Sequence, residues 1–240
     1  MRIAVVSDVH SNLVALDAVL AHVGAVDAVW HLGDIVGYGP DPNGVVARLT
    51  EVGAAGVRGN HDAAAIGGLE IEQFNPEARA AMDWTRAEID ATSRAWLRAL
   101  PAVRQDGDMT LVHGSPRDPT WEYLTTASIA RGSFEALSTP HGLNGHTHIP
   151  VAFVLDGDRI ATVRPRDGDS LSLAGTRVLL NPGSVGQPRD GDPSASYLIL
   201  EPEAARATWH RVAYDVATVQ AAMTAAGLPA RLAARLAHGV

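Results

Sequence analysis

Cysteine is absent from this chain of 240 residues, which excludes disulfide bonds and thiolate metal sites. Any bound metal ion must therefore have nitrogen and oxygen ligands. Apolar runs of about 18 residues, the length that crosses a membrane, are also absent. The apolar stretch at residues 3–6 is shorter than the roughly 7–15 residues of a signal-peptide core. These absences predict a cytoplasmic protein with no membrane association.

Basic side chains are scarce as well. The chain has 19 Lys and Arg against 27 Asp and Glu, a net charge of −8. A surface that holds nucleic acid needs clustered basic residues, so we expect no stable binding of nucleic acid. Two divalent cations would still make one local site positive and able to attract a phosphate. The composition therefore favours a small anionic substrate.

A repeated pattern of strand and helix occupies the first 60 residues. Unbroken apolar runs and helical spacing predict strands at 3–7, 28–32 and 54–58 and helices at 13–23 and 42–52. Strands joined in this way are parallel. Asp8 and Asp34 are 26 residues apart, and so are Asp34 and Asn60. Equal repeat lengths place the polar residues that follow these strands at one sheet edge, where open α/β sheets bind ligands.

The rest of the chain continues the same domain. The Ala- and Arg-rich segment at about 63–100 predicts a helical insertion. After residue 100, short apolar runs and Asp-Gly turns predict further strands, mostly antiparallel toward the end. Helices are predicted near 128–137 and over 215–237. Because no linker or low-complexity tract interrupts the chain, we expect a single domain over residues 1–240.

Five short polar clusters each end an apolar run. They are Asp8-Val9-His10, Gly33-Asp34, Gly59-Asn60-His61-Asp62, Val112-His113-Gly114 and Gly145-His146-Thr147-His148. Taken singly, most have an ordinary explanation as strand-ending turns. His146 and His148 are a stronger signal, because alternate residues of an extended segment project to one side. Together the clusters predict a site for two divalent ions, since Asp, Asn and His are suitable ligands.

The five clusters resemble the motif set of the calcineurin-like metallophosphoesterases, and they span residues 8 to 148. This resemblance implies an α/β fold, a four-layer α/β/β/α sandwich of two mixed β-sheets flanked by helices. It also implies a ligand set. One ion would be held by Asp8, His10 and His148, the other by Asn60, His113 and His146, and Asp34 would bridge the two.

The same resemblance implies a metal-dependent phosphoesterase, with a phosphodiesterase favoured. A hydroxide bridging two ions would attack phosphorus in line. Asn60 and His61 would bind substrate, and His61 would assist the leaving group as the catalytic residue. Mn²⁺ is the favoured ion, and such a site also takes Fe, Zn²⁺, Co²⁺ or Ni²⁺. Phosphomonoesterase, dinucleoside polyphosphate hydrolase and a non-catalytic scaffold of the same fold are the alternatives, although the retained ligands disfavour the scaffold.

The segment after Asp34 departs from the pattern of the protein phosphatases and dinucleoside tetraphosphatases in this superfamily. Gly37 stands where they have an aspartate that orients the catalytic histidine, and Tyr38 stands where they have a phosphate-binding arginine. Asp62 is the alternative partner for His61, but a residue in this position more often caps the following helix. The chain is closer to the small prokaryotic phosphodiesterase-like branch.

Several further residues have two interpretations each. The Asn181-Pro182-Gly183-Ser184 segment is either a loop near the site or a simple turn. Arg117 and Arg189 either bind phosphate or are solvated loop arginines. Trp121 and Tyr123 either stack on a base or pack in the core. Asn12 is interpreted as a helix cap and His31 as a packed histidine. The C-terminal helices either cover the sheet or form a homodimer interface.

Overall fold

The computed structural model describes residues 1–69, 71–72 and 74–240. Its described strands are β1 (Ile3–Val6), β2 (Ala28–His31), β3 (Ala55–Gly56), β4 (Val103–Asp106), β5 (Met109–Val112), β6 (His141–Leu143), β7 (Val151–Asp156), β8 (Arg159–Val163), β9 (Ser170–Ser172), β10 (Arg177–Asn181), β11 (Ala195–Glu201) and β12 (Arg206–Val212). Its described α-helices are α1 (Leu13–Val23), α2 (Pro42–Glu51), α3 (Asn60–Ala65), α4 (Pro76–Glu88), α5 (Ala91–Ala99), α6 (Ala127–Ala136), α7 (Val216–Ala225) and α8 (Ala230–Arg235).

The first sheet has the strand order β3-β2-β1-β11-β12-β9. Strands β1, β2 and β3 are parallel neighbours, with Val5 opposite Trp30 and Trp30 opposite Ala55. The later strands complete the sheet by antiparallel pairing, beginning with β11 beside β1. The carboxyl ends of β1, β2 and β3 therefore lie along one edge, as the equal 26-residue spacing predicts.

The second sheet has the order β4-β5-β6-β10-β7-β8. Its inner strands β5, β6 and β10 are parallel. Strands β4 and β7 pair antiparallel to them, and β8 pairs antiparallel to β7. Because β5 and β6 run in the same direction, the loops that follow them leave the sheet at the same edge. Those loops begin at His113 and Asn144.

Three apolar layers hold the sheets and helices together. Ile3 and Val5 of β1 point between the two sheets, whereas the alternating Ala4 and Val6 point toward the outer helices. The outer face of the second sheet packs against α6, and Phe134 of that helix is part of the third apolar layer. A fully buried side chain of this kind contributes about 1.5–3 kcal/mol relative to an exposed one. The four-layer sandwich of helices, two mixed sheets and a helix confirms the predicted fold class.

The predicted starts of two helices are confirmed. Asn12 caps α1 by accepting a hydrogen bond from Ala15 N, and Pro42 begins α2. Strand β9 is a polar edge strand with no apolar run to reveal it. Helix α3 begins at Asn60, three residues before the predicted helical segment, because the Asp62 carboxylate caps its own first turn. Among the described helices, none is long and apolar enough to cross a membrane.

Candidate metal centre

The seven predicted ligands converge at facing edges of the two sheets. Four loops, after β1, β2, β5 and β6, carry six of them, and the first turn of α3 carries Asn60. All seven side chains are at most 3% exposed. Five of these residues have a positive φ of 49–67°, namely Asp8, His10, Asp34, His146 and His148. The left-handed region costs a non-glycine residue about 1–2 kcal/mol, so the fold holds the loops in a strained conformation that directs these side chains inward.

One group of donor atoms comprises Asp8, His10, Asp34 and His148. Their ligand atoms all lie within 4.8 Å of one another. His148 Nε2 is 3.2 Å from Asp8 Oδ1 and 3.1 Å from His10 Nε2. His10 Nε2 is also 3.7 Å from Asp34 Oδ2. This spacing suits four atoms that surround one cation.

A second group comprises Asp34, His113 and His146, again within 4.8 Å of one another. His113 Nε2 lies 3.3 Å from Asp34 Oδ2 and 3.1 Å from His146 Nδ1. The Asn60 Oδ1 atom joins this group at 3.0 Å from His113 Nε2. Since Asp34 belongs to both groups, it is the residue able to bridge two ions.

The outer nitrogens of three histidines contact backbone carbonyls. His10 Nδ1 contacts Val36 O at 3.3 Å, His113 Nδ1 contacts Leu32 O at 2.8 Å and His148 Nδ1 contacts Gln187 O at 2.6 Å. A carbonyl only accepts, so each Nδ1 carries a proton, and in the neutral imidazole each Nε2 then directs a lone pair inward.

Whether these residues fit metal ions can be judged from the lone pairs that face into the site. His10 Nε2 and His148 Nε2 face each other at 3.1 Å, and neither has a proton to share when both Nδ1 atoms are protonated. Asp8 Oδ1 is buried without a hydrogen-bond partner among the described residues. A cation between the opposed acceptors removes their repulsion, so the donor set fits divalent metals with N and O preference.

Electrostatics at the second group also favour a positive charge. Burial alone would lower the pKa of His113, but the neighbouring Asp34 carboxylate outweighs burial and raises it to about 9. Burial alone would raise the pKa of Asp34, but His113 keeps it well below its ordinary value. At the first group, burial raises the pKa of Asp8 to about 7. The Asp34 carboxylate thus favours a positive charge beside it.

His61 lies beside the ligands in an aromatic enclosure. Its ring centroid is 4.9 Å from that of His10, 4.5 Å from that of Tyr38 and 4.7 Å from that of Phe74. Its backbone N–H donates to Asp34 Oδ1 at 2.9 Å. Burial lowers the pKa of the His61 imidazole to about 4. The Phe74 contact was not anticipated, because nothing in the sequence of the helical insertion indicates a residue near the site.

Asp62 caps α3 and makes no hydrogen bond to the His61 side chain. Its Oδ2 accepts from Gly59 N at 2.9 Å, and its Oδ1 accepts from Ile35 N at 2.8 Å and Val36 N at 3.1 Å. The capping interpretation is therefore confirmed. The same carboxylate also ties the loop after Asp34 to the loop after β3. No described residue hydrogen-bonds to His61 Nδ1.

The Asn181–Ser184 segment is a loop that supports the site. Asn181 Nδ2 donates to Gly145 O at 2.7 Å, and Ser184 Oγ donates to Asp8 O at 2.8 Å. Further along the loop, Gln187 O contacts His148 as described above. The interpretation of this segment as a simple turn is therefore wrong. Gln187 was missed, since only its position after the Asn-Pro-Gly-Ser segment could have suggested a role.

The two arginines and two aromatics singled out in the sequence differ in placement. Arg117 Nε donates to Glu122 Oε2 at 3.1 Å, so this guanidinium is already paired with a carboxylate. Arg189 lies over the ring of Tyr38, 5.9 Å from Cζ to the centroid. Trp121 packs edge-on against Phe74. Tyr123 is 49% exposed and stacks on His146 with ring centroids 3.9 Å apart.

Known proteins share both the sequence pattern and the fold. The sequence profile of the calcineurin-like phosphoesterase superfamily domain matches residues 1–205. An uncharacterized protein of Methanocaldococcus jannaschii is 33% identical over 248 aligned residues, which cover 99% of this chain and 98% of the relative. The crystal structure of a metallophosphoesterase from Sphaerobacter thermophilus is 51% identical, with a TM-score of 0.93, covering 100% of this chain and 99% of that one.

A shorter match covers about half of another relative. A symmetrical bis(5'-nucleosyl)-tetraphosphatase of Pectobacterium carotovorum is 34% identical over 144 residues. The aligned region covers 57% of this chain and 50% of the relative.

Proposed function

The chain belongs to the calcineurin-like phosphoesterase superfamily, and on that premise we propose that it is a two-metal phosphodiesterase with a small phosphoester substrate. One observation carries the proposal. Two groups of buried donor atoms share the Asp34 carboxylate, which is the arrangement that two-metal hydrolysis requires. We further propose that the ions are divalent, with Mn²⁺ favoured over Fe, Zn²⁺, Co²⁺ or Ni²⁺.

In this proposal Asp8, His10 and His148 hold one ion, and Asp34 bridges to the second. The second is held by the remaining donors, Asn60, His113 and His146. Bound divalent ions supply a lowered pKa for a water molecule and charge neutralisation for a phosphoryl group. The carbonyls of Val36, Leu32 and Gln187 keep the three histidines in the tautomer that a metal needs.

His61 contributes as the catalytic residue beside the ligands. The ring packs against His10, Tyr38 and Phe74, which fixes the direction of its N–H. An N–H held in this way can donate to the ester oxygen of a leaving group and stabilise the charge that develops there. Asn60, the preceding residue, can contact a phosphoryl oxygen through its Nδ2 atom while its Oδ1 faces His113.

A diester fits the charge of the site better than a monoester does. A diester carries one negative charge on its non-bridging oxygens, whereas a monoester dianion carries two near neutral pH. Among the described residues, the cationic side chain of Arg189 lies over Tyr38 at the wall of the site. A single added positive charge matches the smaller charge of the diester.

A dinucleoside polyphosphate is the second candidate substrate. It is favoured by the partial match to a bis(5'-nucleosyl)-tetraphosphatase and by Tyr123, whose exposed ring beside the metal centre offers a face to a base. The same two-metal chemistry would serve both substrates. We propose a cytoplasmic protein in either case, and a homodimer built on the C-terminal helices is a further proposal.

The test compares bound metal with turnover. Protein stripped by a chelator and reloaded with Mn²⁺ is expected to bind close to two ions per chain and to cleave bis(p-nitrophenyl) phosphate faster than p-nitrophenyl phosphate. Asp34→Asn should lose both bound metal and turnover, because the carboxylate belongs to both donor groups. Asp17→Asn is the matched control, since Asp17 is an exposed residue of α1 paired with Arg48.

The outcome also separates the alternatives. Faster cleavage of the monoester would replace the diesterase proposal, and preferred cleavage of a dinucleoside tetraphosphate would favour the second candidate. Binding of metal without turnover of any phosphoester would indicate a scaffold. Turnover that persists in Asp34→Asn would rule out the two-metal assignment.

A further inference from the structure

Arg189 is an arginine held at the candidate metal centre without a carboxylate partner. The chain contains no lysine, so arginine side chains supply its fixed positive charge. Among the described residues, no Asp or Glu lies within 4.0 Å of the Arg189 guanidinium. Its Nε is buried and has no hydrogen-bond partner there. A cation with an unused donor in a partly buried position is suited to an anionic ligand.

Two other arginines are already neutralised by carboxylates. Arg117 pairs with Glu122, and Arg211 pairs with Asp190, the residue next to Arg189 in the chain. Asp190 is therefore engaged elsewhere and does not compensate its neighbour. Other arginines of the described chain also lack an acidic partner, and part-buried ones such as Arg177 donate to backbone carbonyls instead. What distinguishes Arg189 is its position beside the candidate ligands.

The loop that carries Arg189 fixes it relative to the ligands. Its backbone N–H contacts the carbonyl of the candidate ligand His148 at 3.4 Å. Its Nη2 donates to Oε1 of Gln187 at 2.8 Å, and Gln187 is itself buried. Because Gln187 O also contacts His148 Nδ1, one short segment positions both the imidazole and the guanidinium.

The guanidinium also lies on the side of the loop that faces the site. Cζ is 5.9 Å from the ring centroid of Tyr38, and the Tyr38 ring is in contact with both His10 and His61. The guanidinium therefore lies over a ring that borders the candidate ligand His10 and the candidate catalytic residue His61.

We propose that Arg189 is a substrate-binding residue that donates to a non-bridging oxygen of the phosphoryl group, with Gln187 as its positioning residue. The proposal rests on the proposed function, which supplies the phosphoester. A guanidinium presents a planar fork of N–H groups that matches two oxygens of a phosphate. Of the Arg189 N–H donors, Nη2 is used by Gln187 Oε1, whereas Nε has no acceptor among the described residues.

The experiment measures binding of inorganic phosphate to Mn²⁺-loaded protein by calorimetry and metal content on the same samples. Arg189→Gln should weaken phosphate binding about 10- to 100-fold, the loss expected for charge-assisted hydrogen bonds. Arg189→Lys should recover part of the affinity, because it restores the charge without the fork. Gln187→Met should weaken binding to a lesser extent. Arg117→Gln, the matched control, should bind phosphate as the unaltered protein does.

Calorimetry requires no turnover, so the two proposals can fail separately. If the unaltered protein binds phosphate and cleaves no phosphoester, the proposed function is wrong while the Arg189 result still counts. If Arg189→Gln keeps its metal and binds phosphate within twofold of the unaltered protein, Arg189 is not a substrate-binding residue. Loss of bound metal in both Arg189→Gln and Arg189→Lys would also overturn the proposal, because it would indicate a role in holding the centre together.

Discussion

Gly37 lies against the imidazole of His61, so closely that a Cβ atom at position 37 would be 2.6 Å from His61 Nδ1. Gly37 also has a φ of +95°, a conformation that side chains rarely adopt. A larger residue at this position and the observed position of His61 are therefore mutually exclusive. Instead of an acidic partner, packing by rings orients this histidine.

Gly37→Ala should consequently lower kcat by displacing His61. We expect a loss on the order of 10²-fold, the lower end of the effect of a positioned acid–base group, with bound Mn²⁺ unchanged. In a His61→Ala background the same substitution should have little further effect, because the two changes then disturb one function. Equal losses from Gly37→Ala with and without His61 would show that the glycine acts through the loop backbone instead.

Tyr123 should influence the use of nucleotide substrates. Its exposed ring stacks on His146, so removal of the ring takes away a surface on which a base can stack, worth about 1–3 kcal/mol. Tyr123→Ala is expected to raise KM for a dinucleoside polyphosphate more than KM for an aryl diester. Tyr123→Phe retains the ring and serves as the control. Parallel changes in both KM values would remove the base-stacking role.

The left-handed backbone at His10 predicts that a glycine at this position is more stable than an alanine, the reverse of the order in a regular helix. His10 has a φ of +49°, which glycine tolerates and alanine does not. His10→Gly should therefore unfold at a higher urea concentration than His10→Ala. We expect a difference of about 1 kcal/mol in the free energy of unfolding. The measurement is made with a chelator present, so that metal binding does not contribute.

The comparison has its control in α1. Ala15 is a buried residue of that regular helix, where Ala15→Gly should destabilise the protein by about 1 kcal/mol. A His10→Ala variant more stable than His10→Gly would contradict the strain described at the ligand loops.

His31 should make stability depend on pH. Burial, followed by the charge of Arg104, lowers the pKa of His31 to about 3 from an ordinary value of 6.5. The unfolded chain then binds a proton at this residue that the folded chain does not, so stability falls as the pH drops from about 6.5 toward 3. His31→Leu removes this contribution. Relative to the unaltered protein, its free energy of unfolding should rise by about 2 kcal/mol between pH 7 and pH 5.

Val29→Ala on the same strand, β2, provides a control with no titrating group. Its destabilisation should be the same at both pH values, since it only removes buried methyl groups. If His31→Leu shows the same constant difference, His31 is not buried as a neutral imidazole. The ring lies 5.4 Å from that of Trp96, consistent with the packed histidine predicted from sequence.

The amino-acid sequence determined the parts of this protein that repeat or alternate. The first two strand–helix units have equal length, and parallel strands of equal repeats must end at one edge. Asp8, Asp34 and Asn60 could therefore be placed together without coordinates. The absence of cysteine likewise limited the metal donors to nitrogen and oxygen.

Which further residues from distant loops surround these ligands depends on the tertiary structure. Arg189 follows His148 by 41 positions in the sequence, and its contact with Tyr38 depends on how the second sheet packs on the first. Phe74 reaches His61 from a helical insertion whose pattern indicates surface helices. Such contacts arise from packing between layers, and packing leaves no local period in the sequence. Local chemistry specified the candidate ligands, and long-range packing specified what surrounds them.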